Sequence, residues 1–83
     1  MIGSEASKLR QIMTAVLELA DDAPLDDLMR GKPSQWDSLA QATLNAALED
    51  EFGIIFDLAD YEHLTCFKGI EALLSVKLAA GAA

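Results

Sequence analysis

One cysteine, one histidine and six basic residues are all that this chain of 83 contains of each. A lone Cys66 cannot form an intrachain disulfide, which fits a reducing compartment. His63 and Cys66 fall short of the roughly four ligands that a structural zinc site needs. The segment "DDAPLDDLMRGK" lacks the alternating oxygen ligands of a calcium loop. Glycine-rich phosphate loops are absent too. No apolar run approaches the ~18 residues needed to span a bilayer. The stretch "MIGSEASKLR" carries both signs of charge and no apolar centre, so it is not expected to act as a signal peptide. With 14 acids against six bases the formal net charge is −8. Such a surface repels nucleic acid and anionic membranes and attracts basic patches on proteins. A soluble, cytoplasmic protein is expected.

What is present is apolar material, 52% of the residues. That separates the chain from disordered acidic tails. At this length folding buries roughly 60% of the unfolded surface, enough for a single core. The expectation is therefore one domain over 1–83, with a folded core at about 5–78 and a flexible tail at 79–83.

Leu9, Ile12, Met13, Val16, Leu17 and Ala20 recur at helical spacing. They predict a first amphipathic helix, capped by Ser4 or Ser7 and ending near "ADDAP" before Pro24. Residues 21–37 read as a long connection with two prolines, one glycine and five acids. Leu25, Leu28 and Met29 would pin it to the core, and a loop this long is usually functional or held by its own side chains. A second helix is predicted from Ser38 to about Phe52. Leu39, Ala42, Leu44, Ala47, Leu48 and Phe52 form its apolar set, and Gly53 stops it. "IIF" has no strand to pair with and reads as an ordered connection. Leu58, Tyr61 and Leu64 suggest a short helix. Thr65 would cap a last helix with a stripe of Phe67, Ile70, Leu73, Leu74 and Leu78, and Lys77 would face its negative end. The fold class is all-α: a small antiparallel four-helix bundle, three helices long and one short, with a long first loop.

Few residues carry chemistry. A Cys–His nucleophile pair needs contact and an orienting group. His63 and Cys66 are separated by a predicted helix start, so Cys66 reads as a helix-start or small core residue and His63 as an exposed or half-buried helix residue. The pairs Asp21–Asp22 and Asp26–Asp27 read as solvated charge. Ser38 with Gln41 matches a capping box, in which hydroxyl and amide satisfy free N–H groups reciprocally.

Ser38 acquires a second reading when its surroundings are taken together. Asp37, Ser38 and Leu39, preceded by Trp36, give "WDSL". Ten residues past Ser38 comes "LEDEFGI", and then "LTCFKGIEALL" from Leu64 to Leu74. These blocks resemble the acyl and peptidyl carrier protein family, which shows Asp-Ser-Leu at a helix head, "LEEEFGI" and "LTSFKAI" at matching distances. The resemblance covers about residues 5–78. It implies that Ser38 is the covalent attachment point of 4'-phosphopantetheine, delivered from coenzyme A by a phosphopantetheinyl transferase, with Asp37 and Leu39 as flanking motif residues. The arm's thiol would carry acyl or aminoacyl groups between loading and transferring enzymes. The chain would be a free-standing, monomeric carrier and not itself an enzyme. A helix N-terminus independently favours an anion on Ser38. If the hydroxyl is esterified, either Asp37 takes over capping or the ester oxygen keeps that role.

The sequence departs from carriers of fatty-acid synthesis at Ala40, Gln41, Ala42 and Thr43, which are uncharged where acids are common. That points to a specialised pathway, with docking through apolar and shape contacts. Tyr61 stands where an aliphatic residue is usual. Leu39, Leu44, Leu48, Phe67 and Ile70 are expected in the core. The competing reading is an acidic helical interaction module with no prosthetic group, in which Ser38 is only a cap.

Overall fold

The computed structural model describes residues 3–81. Among them are three α-helices and no strand: α1 (Gly3–Val16), α2 (Ser38–Phe52) and α3 (Phe67–Gly81). The short helix expected at 58–64 is a single 3-10 turn, Tyr61–His63. Leu58 is 85% exposed and Tyr61 also faces solvent, so of that trio only Leu64 packs inward. Ile54–Phe56 forms an irregular connection, as its lack of a partner strand predicts.

The first helix is shorter than its apolar pattern. It ends in a Schellman motif, in which Leu19 N–H bonds the Thr14 carbonyl at 2.9 Å and Glu18 takes the left-handed conformation at φ 56°. Such a turn usually has glycine at this position. With none here, the pattern through Leu17 and Ala20 reads as continuing helix, and Pro24 as its stop. Helix α1 also begins at Gly3, so Ser4 and Ser7 lie within it and neither is its cap. Helix α2 stops as expected. Gly53 is left-handed and its N–H reaches the Glu49 carbonyl, while Ile54 N–H bonds the same oxygen at 3.2 Å.

Cys66, not Thr65, opens α3. Its Sγ accepts the Gly69 N–H at 3.3 Å, whereas Thr65 Oγ1 faces the Glu62 carbonyl. The helix runs on through residues 79–81, so that part of the expected tail is helical; residues 82–83 lie outside the described range. Lys77 is therefore more than one turn from the helix end. It reaches Asp60 instead, 2.8 Å away, with side chains only 25% and 14% exposed. The bond to Lys77 holds the Asp60 carboxyl below its ordinary value, and the same bond raises the Lys77 ammonium. The 3-10 segment is thereby tied to α3.

Helices α1 and α2 are antiparallel neighbours. Lys8 lies 3.6 Å from Glu51 at one end, and Ala15 and Val16 share a groove with Leu39 and Ala40 at the other. One core unites the three helices with the loops. Leu9 and Met13 come from α1 and Leu17 from the turn that ends it, Leu44 and Leu48 from α2, Ile70 and Leu74 from α3, and all are buried with Leu25, Trp36, Phe56, Leu64 and Phe67.

The 21–37 connection is held at several points. Arg10 Nη1 donates to the carbonyls of Asp21 and Ala23, at 3.2 and 2.8 Å. Leu25 is buried and Leu28 partly so, but Met29 is 47% exposed and anchors through backbone instead. Arg30 N–H bonds the Thr65 carbonyl at 2.8 Å, and Phe67 N–H bonds the Leu28 carbonyl at 2.9 Å. These bonds flank a bridge between Met29 and Cys66. Met29 and Lys32 also exchange backbone bonds across Arg30–Gly31. Gly31 has φ 89°, the left-handed third position that a type II turn requires.

Candidate functional site

Asp37, Ser38 and Leu39 stand together at the head of α2, and all three are exposed. Asp37 is the N-cap. Its backbone is extended, at φ −102° and ψ −170°, and its Oδ1 accepts the Ala40 N–H at 2.9 Å. Ser38 is therefore the first helical residue, and its hydroxyl is not used for capping. The expected box between Ser38 and Gln41 does not form.

Gln41 is committed elsewhere. It lies one turn into α2 and is only 9% exposed. Its Oε1 accepts the Trp36 indole N–H at 2.8 Å, while its Nε2 donates to the Leu64 carbonyl at 2.8 Å and to Asn45 Oδ1 at 3.0 Å. Trp36 is fully buried. Residues flanking an N-cap in this way often form a hydrophobic staple, one before the cap and one in the first turn. Here the staple has a polar half, and it fixes the angle at which the chain turns into α2. The burial of Trp36 went unread in the sequence because its neighbours are all polar. Leu39, expected in the core, is 76% exposed. Leu44, Leu48, Phe67 and Ile70 are buried as expected.

The hydroxyl of Ser38 meets a residue that the sequence reading passed over. Arg30 Nη2 donates to Ser38 Oγ at 2.6 Å. The available signal was a cation inside a connection rich in acids, followed by the Gly31 turn. Gln35 also went unnoticed; its Nε2 donates to the Leu17 carbonyl at 2.9 Å and closes the end of α1. Beside the serine, an open groove of about 560 Å³ runs between the end of α1 and the head of α2. Its walls include Val16, Glu18, Asp37, Leu39 and Thr43.

This arrangement suits a singly charged phosphodiester on Ser38 Oγ. The oxygen is exposed and a guanidinium already touches it. The first N–H groups of any helix have no intrahelical acceptor and carry its positive pole. His63 and Cys66 make separate contacts: His63 is exposed with Nε2 3.7 Å from Glu62, and Cys66 Sγ accepts the Gly69 N–H. Among the described residues, no cluster of three or more His, Cys, Asp or Glu could hold a metal ion, and no helix is long and apolar enough to cross a membrane.

No family model matches the chain, and searches of curated proteins and of solved structures return no match.

Proposed function

We propose that this protein is an acyl or aminoacyl carrier, with Ser38 as the attachment point of 4'-phosphopantetheine. The observation that carries the reading is the division of labour at the head of α2: Asp37 caps the helix, which leaves the Ser38 hydroxyl exposed and clear of that duty. The three sequence blocks around it supply the rest of the argument. On this reading the 57–64 segment stands in for the short helix of a carrier bundle.

Ser38 Oγ attacks the phosphorus that bears the pantetheine arm in coenzyme A. The new O–P bond replaces the bond to the nucleotide, which leaves as adenosine 3',5'-bisphosphate. The hydroxyl proton passes to a base of the transferase. When bound, the arm supplies a terminal thiol that holds an acyl group as a thioester. The chain's own contribution is to hold that arm on a stable helix end and keep its cargo at high effective concentration near partner enzymes. It performs no bond chemistry after attachment. The neutral first turn of α2 and the exposed Leu39 favour partners of a specialised pathway, met by a monomeric carrier in the cytoplasm.

Incubation with a broad phosphopantetheinyl transferase and coenzyme A should add the mass of one arm to the wild-type protein and none to Ser38→Ala. Wild-type protein that stays unmodified with several transferases is the outcome of an acidic interaction module and overturns the carrier reading.

A further inference from the structure

The residue that touches Ser38 comes from a rigid place. Arg30 sits at a corner of the long connection, and its own N–H is bonded to the Thr65 carbonyl at 2.8 Å. Met29 and Lys32 close the turn around it with two backbone bonds, and Gly31 N–H bonds the Trp36 carbonyl at 3.0 Å. The backbone that launches the guanidinium is thus tied both to the start of α3 and to the start of α2. From there the side chain crosses eight positions of sequence to reach Ser38 Oγ.

A neutral hydroxyl uses one donor of a guanidinium that has five. A phosphodiester on the same oxygen adds two non-bridging oxygens that share one negative charge. Planar, paired donors match that geometry better than a lysine does. The surroundings also call for a cation. Asp37 is the next residue in sequence and its carboxylate is exposed. Glu18 shares the adjacent groove, and the chain as a whole carries −8. A further fixed anion at Ser38 is repelled by all of these unless a positive group stands beside it.

We infer that Arg30 is the phosphate-positioning residue of this carrier: its guanidinium, held ready on the 29–32 turn, clasps the non-bridging oxygens of the phosphodiester on Ser38 and sets the direction in which the arm leaves the protein. The inference rests on Ser38 being the attachment point. In the unmodified protein the guanidinium holds the Ser38 oxygen instead, so the clasp is in position before the arm arrives.

The test compares wild type, Arg30→Gln and Arg30→Lys, each measured before and after loading by a transferase with coenzyme A. Before loading, all three should melt within about 1–2 °C of one another, as substitutions on an exposed side chain usually do. After loading, the wild type should gain roughly 2–6 °C, the size expected of an exposed charge pair in a domain this small. Arg30→Gln should gain nothing or lose stability, and Arg30→Lys should fall between. The ³¹P resonance of the loaded protein should shift between wild type and Arg30→Gln, a change that a purely structural role of Arg30 in the loop does not produce. Loaded wild type and Arg30→Gln with the same ³¹P resonance and the same gain in melting temperature overturn the role of Arg30 while leaving the carrier reading intact. A wild-type protein that accepts no arm overturns both.

Discussion

At the scale of single residues, the head of α2 separates two jobs that one serine could have shared. A side chain that caps a helix contributes about 1 kcal/mol. Here that contribution belongs to Asp37, whose Oδ1 takes the Ala40 N–H. Ser38, one residue later, takes no part in the cap and accepts a hydrogen bond from Arg30 instead. Asp37→Ala should therefore destabilise the fold by about 1 kcal/mol, whereas Ser38→Ala should stay within about 0.5 kcal/mol of wild type, in line with surface substitutions. Urea unfolding of the two variants decides the matter. A Ser38→Ala protein that loses as much as Asp37→Ala restores the serine as the working cap. Neighbouring Gln41 shows why local patterns mislead at this point. A glutamine three residues after a serine fits a capping box, but a buried indole N–H and a buried carbonyl both need partners. Leaving such a group unpaired costs about 1–3 kcal/mol, more than a surface cap returns. Gln41 satisfies both, and among the described residues no buried side-chain polar atom lacks a partner.

At the scale of elements, helix positions were legible in the sequence and helix ends only in part. The apolar periodicity of Leu9 and Met13, of Leu44 and Leu48, and of Ile70 and Leu74 marked the three helices and most of their buried faces. Gly53 announced the end of α2 because glycine takes the left-handed conformation at little cost. Glu18 holds the same conformation at the end of α1 without any such signal. The cap of α3 was placed one residue early, on Thr65: the side chain that closes the first turn is the thiol of Cys66, read beforehand as a helix-start or small core residue, and a thiol is a weaker acceptor than the neighbouring hydroxyl. At the candidate site, the motif picked out Asp37, Ser38 and Leu39, which stand together at the head of α2, but not Arg30, since its approach depends on how a 17-residue connection folds back. The first turn of α3 carries one further constraint. A Cβ on Gly69 would clash with the carbonyl of His63, backbone that cannot swing aside. Ordinarily glycine to alanine inside a helix gains about 1 kcal/mol. Overpacking against fixed backbone costs about 1–3 kcal/mol or more. The clash should win, so Gly69→Ala is expected to destabilise by about 1–2 kcal/mol. Thermal unfolding of this variant showing a rise in melting temperature would mean that the 3-10 turn and α3 are free to move apart.

At the scale of the whole molecule, the carrier reading predicts separable contributions of charge and shape to partner recognition. A net charge of −8 gives a long-range attraction for basic surfaces, and it acts mainly on the rate of encounter and fades as salt screens it. Around Ser38 itself, the first turn of α2 offers Leu39, 76% exposed, followed by Ala40 and by Gln41, which is turned into the core. On the carrier reading, a partner that reaches the serine meets an apolar side chain, and burying a leucine fully in an interface is worth about 1.5–3 kcal/mol. Partial burial against a transferase would leave about 1.4 kcal/mol, which is tenfold in affinity. Arm loading, followed as kcat/KM at increasing ionic strength, distinguishes the two contributions. Wild-type values should fall several-fold as salt rises from low to high, because salt screens the attraction between a chain of net charge −8 and a basic partner surface. Leu39→Ala should give a parallel curve about tenfold lower at every salt concentration. Curves that coincide mean that the exposed leucine takes no part in docking. A Leu39→Ala deficit that vanishes at high salt means that the leucine acts only in an encounter that charge sets up, and the two contributions are then not separable.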